Sequence, residues 1–169
     1  MAAGRTYTPI ATVNITSPTA TVTFSNIPGT YTDLVLVGGG VLQINSGNGL
    51  RIRFNNDTAT NYSDTEVKGN GGSATSQRET NQNSGYAGGQ SHSDTNPGTS
   101  ICHIMNYSNT TTYKPFIARG NQASTDVLLT ANLWRSTAAI TRIDLAIGSA
   151  FPTQNFASGT LTLYGIAAA

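Results

Sequence analysis

Apolar residues in this chain recur at every second position, and nowhere do they hold the helical period of about 3.6 over three turns. A period of two sends successive side chains to opposite faces of a strand, whereas a helix needs a stripe returning every three or four residues. The pattern therefore confines the chain to sheet. Leu50, Ile52 and Phe54 alternate with Arg51 and Arg53. Thr141, Ile143, Leu145 and Ile147 share one face of the stretch from Ile140 to Ile147, and Leu161 and Leu163 face inward from the stretch between Thr160 and Ile166.

Other strand-like segments are Thr6 to Thr16, Ala20 to Phe24, Ser100 to Tyr107 and Val127 to Trp134. Leu34 to Val37 is a continuous apolar run, as in a strand covered on both faces; Gly38-Gly39-Gly40 breaks it, and Val41 to Ile44 resumes it. Tyr113 to Ala118 holds Pro115, which suggests an edge. Ser25-Asn26-Ile27-Pro28-Gly29 has turn chemistry. About eight short strands with polar turns predict an all-β fold, an antiparallel β-sandwich, with jelly-roll topology as a natural way to arrange eight. Trp134, Phe54, Leu34, Leu36, Ile143, Leu145 and Leu163 are its expected core, and Cys102 packs there as a small apolar residue. We expect one domain over residues 1–169, with a short N-terminal arm (1–6) and a long polar loop (about 68–99), where Gly, Ser, Asn, Gln and Thr dominate.

Charged residues make up only 10% of the chain, so acids, bases and metal ligands are scarce. A net charge of +1 implies no electrostatic pull toward nucleic acid or anionic membrane, and it removes a common safeguard against self-association. Met1 to Arg5 has no apolar run of the secretory kind, and no stretch approaches the roughly 20 apolar residues of a membrane span, so a soluble chain is expected.

The candidate chemical groupings are thin. His92 and His103 have no spaced cysteine or histidine partners for zinc, and Cys102 and His103, being adjacent, point to opposite faces of a strand. His92-Ser93-Asp94 could orient an imidazole but has no partner nucleophile in a motif. Asn55-Asn56-Asp57-Thr58 and Asp64-Thr65-Glu66 offer oxygen ligands without the closing glutamate of a calcium loop, and read better as Asx-turns holding a loop. The glycine triplet lacks the Gly-Lys-Ser/Thr of a P-loop, there is no Gly-x-Ser-x-Gly elbow, and the eight acids are scattered singly rather than paired across a groove. No enzyme, cofactor or metal is expected. Arg51 and Arg53 suit a solvated strand face or an interface salt bridge, and could also read phosphate or a sugar carboxylate. Arg135 should face away from Trp134 and make a salt bridge with Asp33 or Asp144, or an interface contact. With Tyr86 and His92, these three arginines are the interface candidates.

Five phrases carry a resemblance: Tyr7-Thr8-Pro9-Ile10-Ala11-Thr12; Val22-Thr23-Phe24-Ser25-Asn26-Ile27-Pro28-Gly29-Thr30-Tyr31-Thr32-Asp33-Leu34; Arg53-Phe54-Asn55-Asn56-Asp57 with Asn61-Tyr62-Ser63; Leu133-Trp134-Arg135-Ser136-Thr137-Ala138-Ala139-Ile140-Thr141; and Gly159-Thr160-Leu161-Thr162-Leu163-Tyr164-Gly165-Ile166. In this order, reaching over nearly the whole chain, they resemble a β-sandwich module of tailed-phage virion proteins, particularly of phages infecting environmental bacteria and cyanobacteria. The stretch from Lys68 to Thr99 matches no part of that pattern. The resemblance implies a virion structural protein: a capsid decoration (cement) protein that binds and stabilises the assembled shell, or a tail-fibre or tail-tip protein that binds host glycan. It implies a homotrimer, with the major capsid protein or other virion proteins as partners, soluble in the host cytoplasm before assembly and placed on the capsid surface afterwards. No catalytic residue transfers with it.

Overall fold

A computed structural model describes residues 6–44, 49–88, 95–122 and 126–167. Among them the chain forms twelve strands and no helix. They are β1 (Tyr7–Ile15), β2 (Thr21–Phe24), β3 (Asp33–Gln43), β4 (Leu50–Phe54), β5 (Tyr62–Gly69), β6 (Ala74–Gln82), β7 (Gly85–Tyr86), β8 (Gly98–Ile104), β9 (Lys114–Gln122), β10 (Asp126–Trp134), β11 (Ile143–Ile147) and β12 (Phe156–Ile166). Every pairing is antiparallel. An eight-stranded sheet runs β1-β12-β3-β8-β9-β10-β5-β6, and a four-stranded sheet runs β2-β11-β4-β7.

The two sheets enclose one core, as a β-sandwich requires. Leu34, Leu36, Cys102, Ile104, Phe116, Trp134, Leu161 and Leu163 come to it from the large sheet; Val22, Phe24, Leu50, Ile52, Phe54, Ile143, Leu145 and Ile147 come from the small one. The seven expected core residues and Cys102 are all buried there. Phe54 ties the layers together, its ring lying 5.1 Å from that of Phe116 and 5.3 Å from that of Trp134, separations at which aromatic pairs attract beyond their buried area. Its backbone N–H donates to the Tyr62 hydroxyl at 2.9 Å, so this buried phenol is not left without a partner.

Without β5, β6, β9 and β10 the sheets would read β1-β12-β3-β8 and β2-β11-β4-β7. That order is compatible with the jelly-roll expectation, and the four further strands account for the excess over eight. The long polar loop is corrected as well: residues 74–82 form β6, and residues 85–86 form β7. Asp64-Thr65-Glu66, expected in a loop, belongs to β5. The glycine triplet does not end its strand either. β3 runs through it on a bulge, the register slipping between Gly38 and Val41 with Gly40 at a φ of 62°. β9, expected at an edge, lies between β8 and β10. Pro115 is tolerated there because it stands near the start of the strand, where its carbonyl accepts from the Met105 N–H at 3.2 Å.

Candidate functional site

The outer face of the large sheet is drier than a solvated face should be. The strand registers align Thr12, Thr162, Val37, Ile101, Arg119, Leu129, Val67 and Ser76 into one rung across all eight strands. A neighbouring rung carries Val35, His103, Ile117, Ala131, Thr65 and Arg78. On these rungs and the next, Val127 is 65% exposed, Val67 52%, Leu129 49% and Ile117 45%. Large aliphatic groups held in water on adjacent strands of one sheet mark an association surface more often than chance exposure does.

At one end of this face is a depression of about 410 Å³. Val37, Gly39, Ile101 and Val127 line it together with Arg119, and so do Thr99 and Asn121, whose side chains are joined by a 2.5 Å hydrogen bond. A Cβ built on Gly39 would meet nothing within 4 Å, so the missing side chain there is open space.

The interface candidates lie elsewhere. Arg51 is not on a solvated face: it is 5% exposed, stacks over the Tyr86 ring at 3.5 Å, donates to the Tyr86 hydroxyl at 2.5 Å and lies 3.6 Å from Glu79. Tyr86 is accordingly buried. Arg53 is half-buried, donating to the Asn83 carbonyl at 2.8 Å and lying 4.1 Å over the Phe151 ring. Arg135 donates to the Thr60 carbonyl at 2.7 Å and to Asn81 at 3.1 Å, and not to either expected acid. Asp33 takes His103 at 2.9 Å, while Asp144 takes Arg142 through two bonds of 2.7 and 2.8 Å and Thr23 at 2.6 Å. His92 lies outside the described residues. Arg51 and Tyr86 are thus brought together, and Arg53 and Arg135 serve loops.

Sequence reasoning passed over the polar interior beneath the far end of the large sheet. Asp64 and Glu66 of β5 are each 3% exposed, and Asp64 stands opposite Glu79 of β6. Neither carboxylate oxygen of Asp64 has a hydrogen-bond partner among the described residues. Burial, and then the Glu79 charge, push its pKa up to about 6, against a pull from Arg51. Burial raises Glu66 as well, with Lys68 opposing. Lys68 also pairs with the buried Asp126 at 2.8 Å. The alternation of acids with Ser63, Thr65 and Val67 along β5 was the available signal, since it sets the acids on one face. Among the described residues, no group of three or more His, Cys, Asp or Glu side chains is placed to hold a metal ion.

No protein-family model matches the chain, and neither does any curated protein or solved structure.

Proposed function

We propose that the chain is a structural protein of a tailed-phage virion, a decoration protein that binds the assembled capsid shell and stabilises it. The observation that carries the reading is the outer face of the large sheet, where Val127, Leu129, Val67 and Ile117 lie exposed on neighbouring strands. Such a face suits association with a protein surface. A partner that binds the assembled form and not its free subunits stabilises the assembly by mass action alone. The resemblance carried by the five phrases supplies the virion, and with it the homotrimer and a jelly-roll core.

The test is immunogold labelling of intact virions with serum raised against this chain. Label spread over the head supports decoration. Label confined to the tail end replaces it with the receptor-binding reading, and virions left unlabelled, with the epitope shown to be accessible, overturn both.

A further inference from the structure

We infer that the depression around Gly39 is an anchor site for a segment of a different protein that carries an apolar side chain next to a carboxylate. The inference rests on the structural-protein reading above and names the chemistry of its partner. Val37, Ile101 and Val127 make apolar walls, and Gly39 leaves its floor open. The volume of about 410 Å³ falls in the range of pockets that enclose a side chain or small ligand. Interfaces draw most of their energy from a few such anchors, in which one side chain is fully withdrawn from water.

The polar half of the match comes from Arg119. Its guanidinium is exposed in the same depression and forms no ion pair among the described residues. Arg78, also exposed, stands on the same face three strands away. A carboxylate is the natural complement of an arginine beside an apolar wall, because the planar fork holds it by two hydrogen bonds while the wall screens them from water.

A second copy of this chain is a poor source of that carboxylate. Among the described residues no acid is exposed, and Asp33, Asp57, Asp126 and Asp144 each already hold a partner in their own chain. A neutral glycan is a poor occupant too, since among the described residues no aromatic ring lines the depression to stack on a sugar.

The test is NMR on the full-length, isotope-labelled chain titrated with the acetylated, amidated pentapeptide Glu-Leu-Glu-Phe-Glu, with the matching lysine peptide Lys-Leu-Lys-Phe-Lys as control. The acidic peptide should shift the amides of Gly39, Ile101 and Gly120, and added salt should weaken it. Arg119→Ala should weaken binding roughly fivefold or more. Gly39→Val, built into open space at a backbone conformation outside the left-handed region, should keep the rest of the spectrum and lose the shifts. The inference is overturned if the lysine peptide shifts the same amides equally, if Gly39→Val still binds, or if millimolar acidic peptide shifts other residues or none. A heparin hexasaccharide acting at these amides where the peptide does not would assign the site to sulfated glycan instead. An oligomer that Arg119→Ala or Gly39→Val dissociates in sedimentation would assign it to a second copy. The two readings fail separately: a Gly39→Val chain that still decorates virions removes the anchor site and leaves decoration standing. A chain that binds the peptide but labels no virion does the reverse.

Discussion

Asp64 and Glu79 face each other on neighbouring strands of the large sheet, two carboxylates on one rung with the Arg51 guanidinium 3.6 Å from the second. Like charges placed directly opposite work against a sheet, and burial of Asp64 adds to the cost. The sheet tolerates the pair because Asp64 holds its proton to about pH 6.

A pH dependence follows from that retained proton. The folded pKa of about 6 lies above the unfolded value of roughly 3.9, so the folded state binds the proton more tightly. The favourable contribution is complete below about pH 4 and declines as pH rises to about 6; Glu66 adds to it in the same direction. Asp64→Asn should remove this part of the slope and raise stability at pH 7.5 by on the order of 1–2 kcal/mol, measured by urea denaturation across the range. A wild-type profile that stays flat from pH 4 to 6.5 would contradict the assignment.

Asp57 should act in the opposite sense. Burial pushes its pKa up, but hydrogen bonds from Asn61, the Trp134 indole at 2.7 Å and the Ala59 N–H outweigh burial and hold it below the usual value. Its stabilisation is therefore present above about pH 4 and is lost as pH falls through the lowered folded value. Asp57→Asn should flatten that acid limb, followed by the fluorescence of the single tryptophan. Trp134→Phe, followed by circular dichroism, should cost about 2 kcal/mol near neutral pH, since it breaks a hydrogen bond to a charged group.

Asn55 fastens the segment before β11 to the end of β4. Its amide donates to the Ala139 carbonyl at 2.7 Å, and its oxygen accepts from the backbone N–H groups of Thr141 at 2.9 Å and Arg142 at 3.1 Å. It does so from a φ of 53°, a region that asparagine enters more readily than most residues. Asn55→Ala should lower stability by about 2 kcal/mol. Asn55→Gly, which keeps the backbone and loses the same side-chain bonds, separates the two contributions, and a melting temperature unchanged in both variants would refute the role.

Gly165 permits a close approach by Tyr31. A Cβ at this position would fall 2.3 Å from the Tyr31 ring, so Gly165→Ala must displace the ring or the strand. We expect a loss of about 1–3 kcal/mol. Adding Gly165→Ala to Tyr31→Ala should cost clearly less than Gly165→Ala alone, because the clash is already gone; strict additivity in the double-mutant cycle would exclude the contact.

Strands with one dry face were legible in the sequence. β4, β11 and β12 each set leucine, isoleucine or aromatic residues against the core at a spacing of two, and the structure places them as read. β6 was not legible, because Ala74 to Gln82 is largely hydroxyl, amide and charge on both faces. It pairs with the part of β5 whose buried face is itself polar, so hydrophobicity has no period to show there. The partner of Asp144 was within reach: Arg142 and Asp144 are two residues apart, which in extended chain puts both side chains on one side. The outer face of the large sheet was harder to foresee, because Val67, Ile117 and Leu129 come from three separate strands and only the register brings them together.

The insertion of β12 between β1 and β3 has a consequence for the time course of folding. Tyr7 pairs with Ile166 and Asp33 does too, so the large sheet lacks its connection between β1 and β3 until Phe156–Ile166 has left the ribosome. Contacts so distant along the chain must be reached against the full entropy of closing the loop between them. A nascent chain cut short before Phe156 would hold β1 and β3 apart with nothing to join them, and complete molecules should reach the native state in milliseconds to seconds, the pace of other folds dominated by non-local strand pairing.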